Sequence, residues 1–180
     1  MGYSSDRAWT DKLLPEVIEK LQSDLSVEGL GIASYEDDVK KATDLIVIGN
    51  STLRIGVRLR TNFYWKQYKH DFTIRSGRPS GVATELDKIL DGWGDYLFYG
   101  FANNTKTEVI DYHVIDLNEF RKWASDGQNH TVVETGTEPI VFMFPEFGEM
   151  ENGDGTCFIP FSIDRVDSSI IFKTTTRLLS

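Results

Sequence analysis

Cysteine is almost missing: Cys157 stands alone in a chain of 180 residues. One cysteine excludes an intrachain disulfide and a cysteine-based zinc site, and the expected setting is reducing and cytoplasmic. Long apolar runs are missing as well, and nothing approaches the roughly 18 residues a membrane span needs. Met1 to Asp6 lacks the basic-then-apolar pattern of a secretory signal. Asp6 also occupies the place where a myristoylation sequence favours Ser or Thr. Positive charge is scarce: 19 Lys and Arg face 28 Asp and Glu, for a net −9. Long-range repulsion therefore opposes indiscriminate adhesion to phosphates. There is no internal repeat and no low-complexity tract. What remains is 40 % hydrophobic residues with 22 aromatics, enough for one well-filled core.

The scarce positive charge is concentrated. From Arg54 to Arg78 there are seven Lys or Arg and a single acid, Asp71, so the rest of the chain sums to −15. The segment begins in a two-strand pattern. Asp44 opens an apolar run, Leu45 to Ile48, Gly49-Asn50 is a turn signal, and Leu53 to Arg60 alternates. Strand side chains alternate faces, so Arg54, Arg58 and Arg60 project from one side and Ile55, Val57 and Leu59 from the other. Phe63, Tyr64, Trp65 and Tyr68 follow at once. Such aromatics either stack on bases or pack as a lid over a sheet edge. The arginine row either meets phosphates, whose oxygens match guanidinium forks, or is balanced by acids from a neighbouring element.

Thr10 to Leu25 has helical spacing, with Leu13, Leu14, Val17, Ile18, Leu21 and Leu25 on one face and Glu16 beside them. Pro15 is expected in its first turn. Gly29 and Gly31 mark a loop, and Ser34 is a candidate cap for a short helix over Glu36 to Ala42. Asp71 to Arg75 reads as a third strand. Ser76 to Gly81 is a turn-rich loop without the lysine or glycine spacing of a phosphate-binding loop. A helix is expected from Val82 to Asp91, ended by Gly92 and Gly94. Asp95 to Ala102 and Glu108 to Ile115 form a hairpin, and Asp116 caps a helix through Ala124 with Glu119 three residues on. Trp123 to Asp164 holds eight acids and no Lys or Arg, with strands at Pro139 to Phe147 and Thr156 to Ile163 and a last one at Ser168 to Thr174. The expected class is mixed α/β, with a central mixed sheet flanked by helices. Residues 1–125 form the core, and residues 126–180 form a β-rich acidic extension packed on the same domain.

The order helix, three strands, helix, strands, helix, with Asp44 opening one strand and a charged strand after it, resembles the core of the PD-(D/E)XK, restriction-endonuclease-like superfamily. The resemblance implies a Mg²⁺- or Mn²⁺-dependent endonuclease acting on DNA. Hard cations want carboxylate oxygens, and phosphodiester cleavage needs an activated water. Asp44 matches the family's Asp. The family's Glu and Lys fall on Val57-Arg58-Leu59-Arg60, as Arg58 and Arg60. Arg58 would repel a metal, and a guanidinium is no proton acceptor at neutral pH. Some members move the missing Glu to the next helix, the place Glu85 holds. The resemblance then implies Asp44 and Glu85 as metal ligands with Glu16 accessory. Arg58 and Arg60 would neutralise the scissile phosphate, Lys66 would replace the lost lysine, and Arg54, Lys69, Arg75 and Arg78 would line the DNA path with those two arginines. Asp71-Phe-Thr-Ile-Arg with Thr84-Glu85-Leu86 also resembles hypothetical proteins of phages and mobile elements, which implies no activity.

Each of these residues has a plainer reading. Asp44 also suits a strand start, and Glu85 a first-turn position favoured by the helix dipole. His70, His113 and His130 form no local metal pair, and Ser76, Ser80 and Cys157 lack a histidine in a nucleophile motif. The second class of function is therefore a binding or inhibitory module on the same fold, engaging nucleic acid or protein without catalysis. A homodimer is a further expectation. The acids Glu146, Glu149, Glu151 and Asp154 then either lie in solvent or meet the basic patch of another copy.

Overall fold

Alternation along β3 (Leu53–Arg60) decides which side of the sheet carries which chemistry. Ile55 and Leu59 are buried against α1 (Tyr3–Leu25), where Leu13, Val17 and Leu21 recur every fourth residue. Arg58 and Arg60 point to the opposite side, toward Thr73 of β4 (Asp71–Gly77). The computed structural model that shows this describes residues 3–33, 44–47, 52–129, 131–133 and 141–176.

The architecture is mixed α+β. A six-stranded sheet runs β1 (Leu30–Ile32), β2 (Leu45–Val47), β3, β5 (Tyr96–Ala102), β6 (Val109–Asp116) and β11 (Ile171–Thr174). Every neighbouring pair is antiparallel except β3 and β5, which are parallel. A parallel pair needs a long crossover. That crossover holds α2 (Asn62–Tyr68), β4 and α3 (Glu85–Leu90). β4 does not stay in the main sheet. It pairs with β10 (Cys157–Ser162), which pairs in turn with β9 (Met150–Glu151). β7 (Thr131–Val133) and β8 (Val141–Met143) form a separate hairpin.

β5 alternates between two cores. Phe98 and Ala102 join the α1 layer, whereas Leu97, Tyr99 and Phe101 join a core built from β4, β10, α3 and α4 (Leu117–Ser125). This second core is aromatic, with Phe72 stacked on Phe161 at 5.4 Å between centroids and Phe120 edge-on to Phe161 at 5.2 Å.

Several elements differ from expectation. α1 begins at Tyr3, so Pro15 lies inside the helix and not in its first turn, on the exposed side. The loop expected around Gly29 and Gly31 contains β1, a three-residue strand with too little sequence to show alternation. α2 covers the aromatic run, where β-favouring aromatics mask a helix and no side chain caps its start. α3 is shorter than expected because a capping box fixes its first turn: Asp87 N donates to Thr84 Oγ1 at 3.2 Å, and Thr84 N donates to Asp87 Oδ2 at 2.6 Å. Gly92, at φ 91°, follows its end in the left-handed region. Asp116 caps α4 as expected, accepting from the Asn118 and Glu119 amides. The helix anticipated over residues 36–42, the Gly49-Asn50 turn and His130 lie outside the described residues.

Candidate anion-binding site

β3 and β4 deliver three arginines to one cavity of about 220 Å³. Arg58 donates to the Thr73 carbonyl at 3.0 Å and pairs with the Glu85 carboxylate. The same Glu85 oxygen accepts the Arg75 backbone N–H at 3.1 Å, which fixes the start of α3 against β4. Arg60 is oriented by neutral groups. Its Nε donates to the Tyr99 hydroxyl at 3.1 Å and its Nη2 to Thr73 Oγ1 at 2.8 Å. Its guanidinium also lies 5.5 Å from the Tyr64 ring centroid and 5.9 Å from that of Tyr99. Among the described residues neither Arg60 nor Arg75 has a carboxylate within ion-pair distance.

Positive charge is crowded here. Burial lowers the pKa of Arg75, and the guanidinium groups of Arg58 and Arg78 lower it further, with Glu85 opposing them. An arginine does not lose its proton at neutral pH. Arg75 therefore stays charged among other guanidinium groups, and an anion in the cavity would add to the opposition that Glu85 supplies. The remaining walls are of two kinds. Tyr64 and Tyr68 come from α2, and Met150, Phe158 and Pro160 from β9 and β10. Asp71 is the acid on the lining. Burial raises its pKa, His70 opposes this, and Asp164 adds to it.

The candidate residues therefore separate into groups. Arg58, Arg60, Arg75 and Glu85 come together, with Arg78 close enough to act on Arg75. Arg54, expected in the same row, sits at the far end of β3, 3.6 Å from Asp95 and 5.5 Å from the Trp93 ring centroid. Asp95 lies just before β5, and the parallel register of β5 on β3 brings it beside Arg54. Lys66 is exposed on α2, and Lys69 lies over Trp65 at 5.5 Å; neither lines the cavity. Trp65 is packed on the aromatic core and donates to Asp111 at 2.9 Å, so it is not a stacking surface.

The three carboxylates proposed as a metal cluster are not gathered. Glu16 projects from α1 on the opposite face of the main sheet, where it accepts the Val109 N–H at 3.0 Å and meets Lys20 at 3.3 Å. Helix period decided this: Glu16 precedes Val17, which α1 buries against that face. Asp44 accepts the Val57 N–H at 2.6 Å, and Glu85 is held by Arg58. No group of three or more His, Cys, Asp or Glu is placed to hold a metal among the described residues. As arranged, this donor set does not fit a Mg²⁺ ion, which wants several oxygen ligands and no adjacent guanidinium.

Sequence reasoning missed Thr73, Tyr99, Asp71 and the wall from β9 and β10. Tyr99 stands opposite Arg58 in the parallel register. Phe158 stands opposite Arg75 across β10 and β4. Both are long-range pairings, and nothing local in the sequence signals them. Comparison with models of known protein families gives no match, and comparison with curated protein sequences gives none.

Proposed function

We propose that the protein is a nucleic-acid-binding module whose contact surface is the arginine and tyrosine cavity on β3, β4 and α2. The observation that carries this reading is the state of the arginines. Arg60 is aimed into the cavity by the Tyr99 and Thr73 hydroxyls, and Arg75 lines the same cavity, with no carboxylate in ion-pair contact with either guanidinium among the described residues. Guanidinium forks held in this way suit phosphate oxygens. The ring faces of Tyr64 and Tyr68 beside them suit bases. With −9 on the whole molecule, affinity comes from this local patch and not from long-range attraction.

The test is fluorescence anisotropy with labelled DNA across a salt series. Binding should weaken as salt rises, and Arg60→Ala should weaken it about tenfold and lower the salt slope by about one. Binding unchanged in Arg60→Ala, or absent at low salt, would remove the reading.

Metal-dependent DNA cleavage is the second reading, on the restriction-endonuclease-like resemblance. One observation favours it: Asp44 and Glu85 both reach β3, at the Val57 N–H and at Arg58, neighbouring positions. It requires Glu85 to part from Arg58. DNA nicked in Mg²⁺ or Mn²⁺ and left whole by Asp44→Ala would establish it; intact DNA from the wild-type chain across varied substrates would end it.

A further inference from the structure

The cavity combines three features that one ligand chemistry would use together. Its cationic side is Arg60 and Arg75. Its flat side is Tyr64 and Tyr68, each 43 % exposed although α2 is anchored through Trp65. Its third feature is Asp71, a carboxylate in a place that otherwise favours anions. Asp71 accepts no hydrogen bond from the described residues, and it is not sealed from the cavity. A carboxylate there works against phosphate affinity, so it is unfavourable unless the ligand itself supplies N–H donors. Bases with an exocyclic amino group supply them, and carboxylates accept from the cytosine amino group. Thymine has a carbonyl oxygen where cytosine has its amino group, and its one ring N–H lies between two carbonyls, which a carboxylate repels. A paired base cannot reach such a cavity, because its face is covered by stacking and its edge by its partner.

We propose that the cavity takes one unpaired nucleotide bearing an amino group on its base, with the phosphate on Arg60 and Arg75, the ring on Tyr64 and Tyr68, and the amino group donating to Asp71. This deepens the nucleic-acid-binding reading and rests on it. Asp71 is then the residue that sets base preference, and Tyr64 the one that makes single strands better ligands than duplex.

The test compares labelled oligo(dC), oligo(dT), an abasic oligomer and a duplex of equal length, with cytidine monophosphate as competitor. Oligo(dC) should bind about tenfold tighter than oligo(dT), and tighter than the duplex and the abasic strand. Asp71→Asn should erase the preference, chiefly by strengthening oligo(dT), since a carboxamide repels no carbonyl. Tyr64→Ala, on an exposed ring, should lower oligo(dC) binding about tenfold toward the abasic level. Competition by cytidine monophosphate at concentrations near those of the oligomer would assign the site to free nucleotides; its failure to compete would assign it to strands. Equal affinity for all four polymers would overturn the base pocket while leaving polyanion binding intact. No affinity for any of them would overturn both.

Discussion

Arg58 and Glu85 hold one another, and the pair decides how the site behaves. Each side chain is largely covered, at 21 % and 15 % exposure, so the contact is not a solvent-screened surface bridge. Glu85→Ala would leave the Arg58 guanidinium with the Thr73 carbonyl alone and the Arg75 N–H without its acceptor. Stability should fall by about 1–3 kcal/mol in urea titrations. Anion affinity should rise in the same variant, because the acid that offsets Arg58 and Arg75 is gone. A variant less stable and also weaker for polyanions would contradict this assignment. His113 is the second informative residue. It is fully buried between Thr174 Oγ1 at 2.8 Å and the Lys69 carbonyl at 2.9 Å. Burial lowers its pKa below the ordinary histidine range, against the pull of the Lys69 carbonyl, Asp111 and Asp164 and with the push of His70. The unfolded chain therefore takes a proton first as pH drops, so His113 contributes stability above about pH 6.5 that is lost below it. Urea midpoints should decline between pH 7.5 and 5.5, and His113→Gln should flatten that decline. A slope unaltered by the substitution would locate the titrating group elsewhere.

Among the elements, α1 poses the clearest physical question. An interior proline lacks the N–H that would reach the carbonyl of Asp11 and crowds the preceding turn. The helix tolerates it because Pro15 is on the exposed side while Leu13, Val17 and Leu21 bury the other. Pro15→Ala should therefore raise the melting temperature, by an amount equivalent to about 1–3 kcal/mol. No change would mean that the turns before Pro15 contribute nothing to stability. Elements whose signals are local were legible. Leucine spacing gave α1, alternation gave β3, and the Asp116 cap gave the start of α4. β1 and α2 were not legible. One is too short for a period, and the other is written in residues that favour strands.

At the scale of the whole molecule, the acidic C-terminal segment is woven through the core. β10 is the partner of β4, and β11 closes the main sheet beside β6. Asp111 ties this segment down further, accepting from Thr175, Thr176 and Trp65. Burial alone would raise its pKa, but these hydrogen bonds outweigh it and the net shift is downward. A chain ended after residue 125 should consequently lack a cooperative thermal transition by circular dichroism, since Phe161, Ile159 and Ile170 leave the aromatic core. A sharp transition in that fragment would show that residues 1–125 fold alone. Among the described residues no helix is long and apolar enough to cross a membrane.

By itself the sequence determined the class of fold, the parity of the arginines and the place where positive charge collects. Each is a property of neighbours along the chain: period, composition and cap. Tertiary structure alone decided which arginines share a cavity and which is tied to Asp95. It also decided that Glu16 and Glu85 stand on opposite faces and that Tyr99, Asp71 and Phe158 complete the walls. Those outcomes depend on strand pairings across tens of residues, such as β3 on β5 and β4 on β10. Pairing of that range is set by the packing of the whole core, which no local pattern encodes.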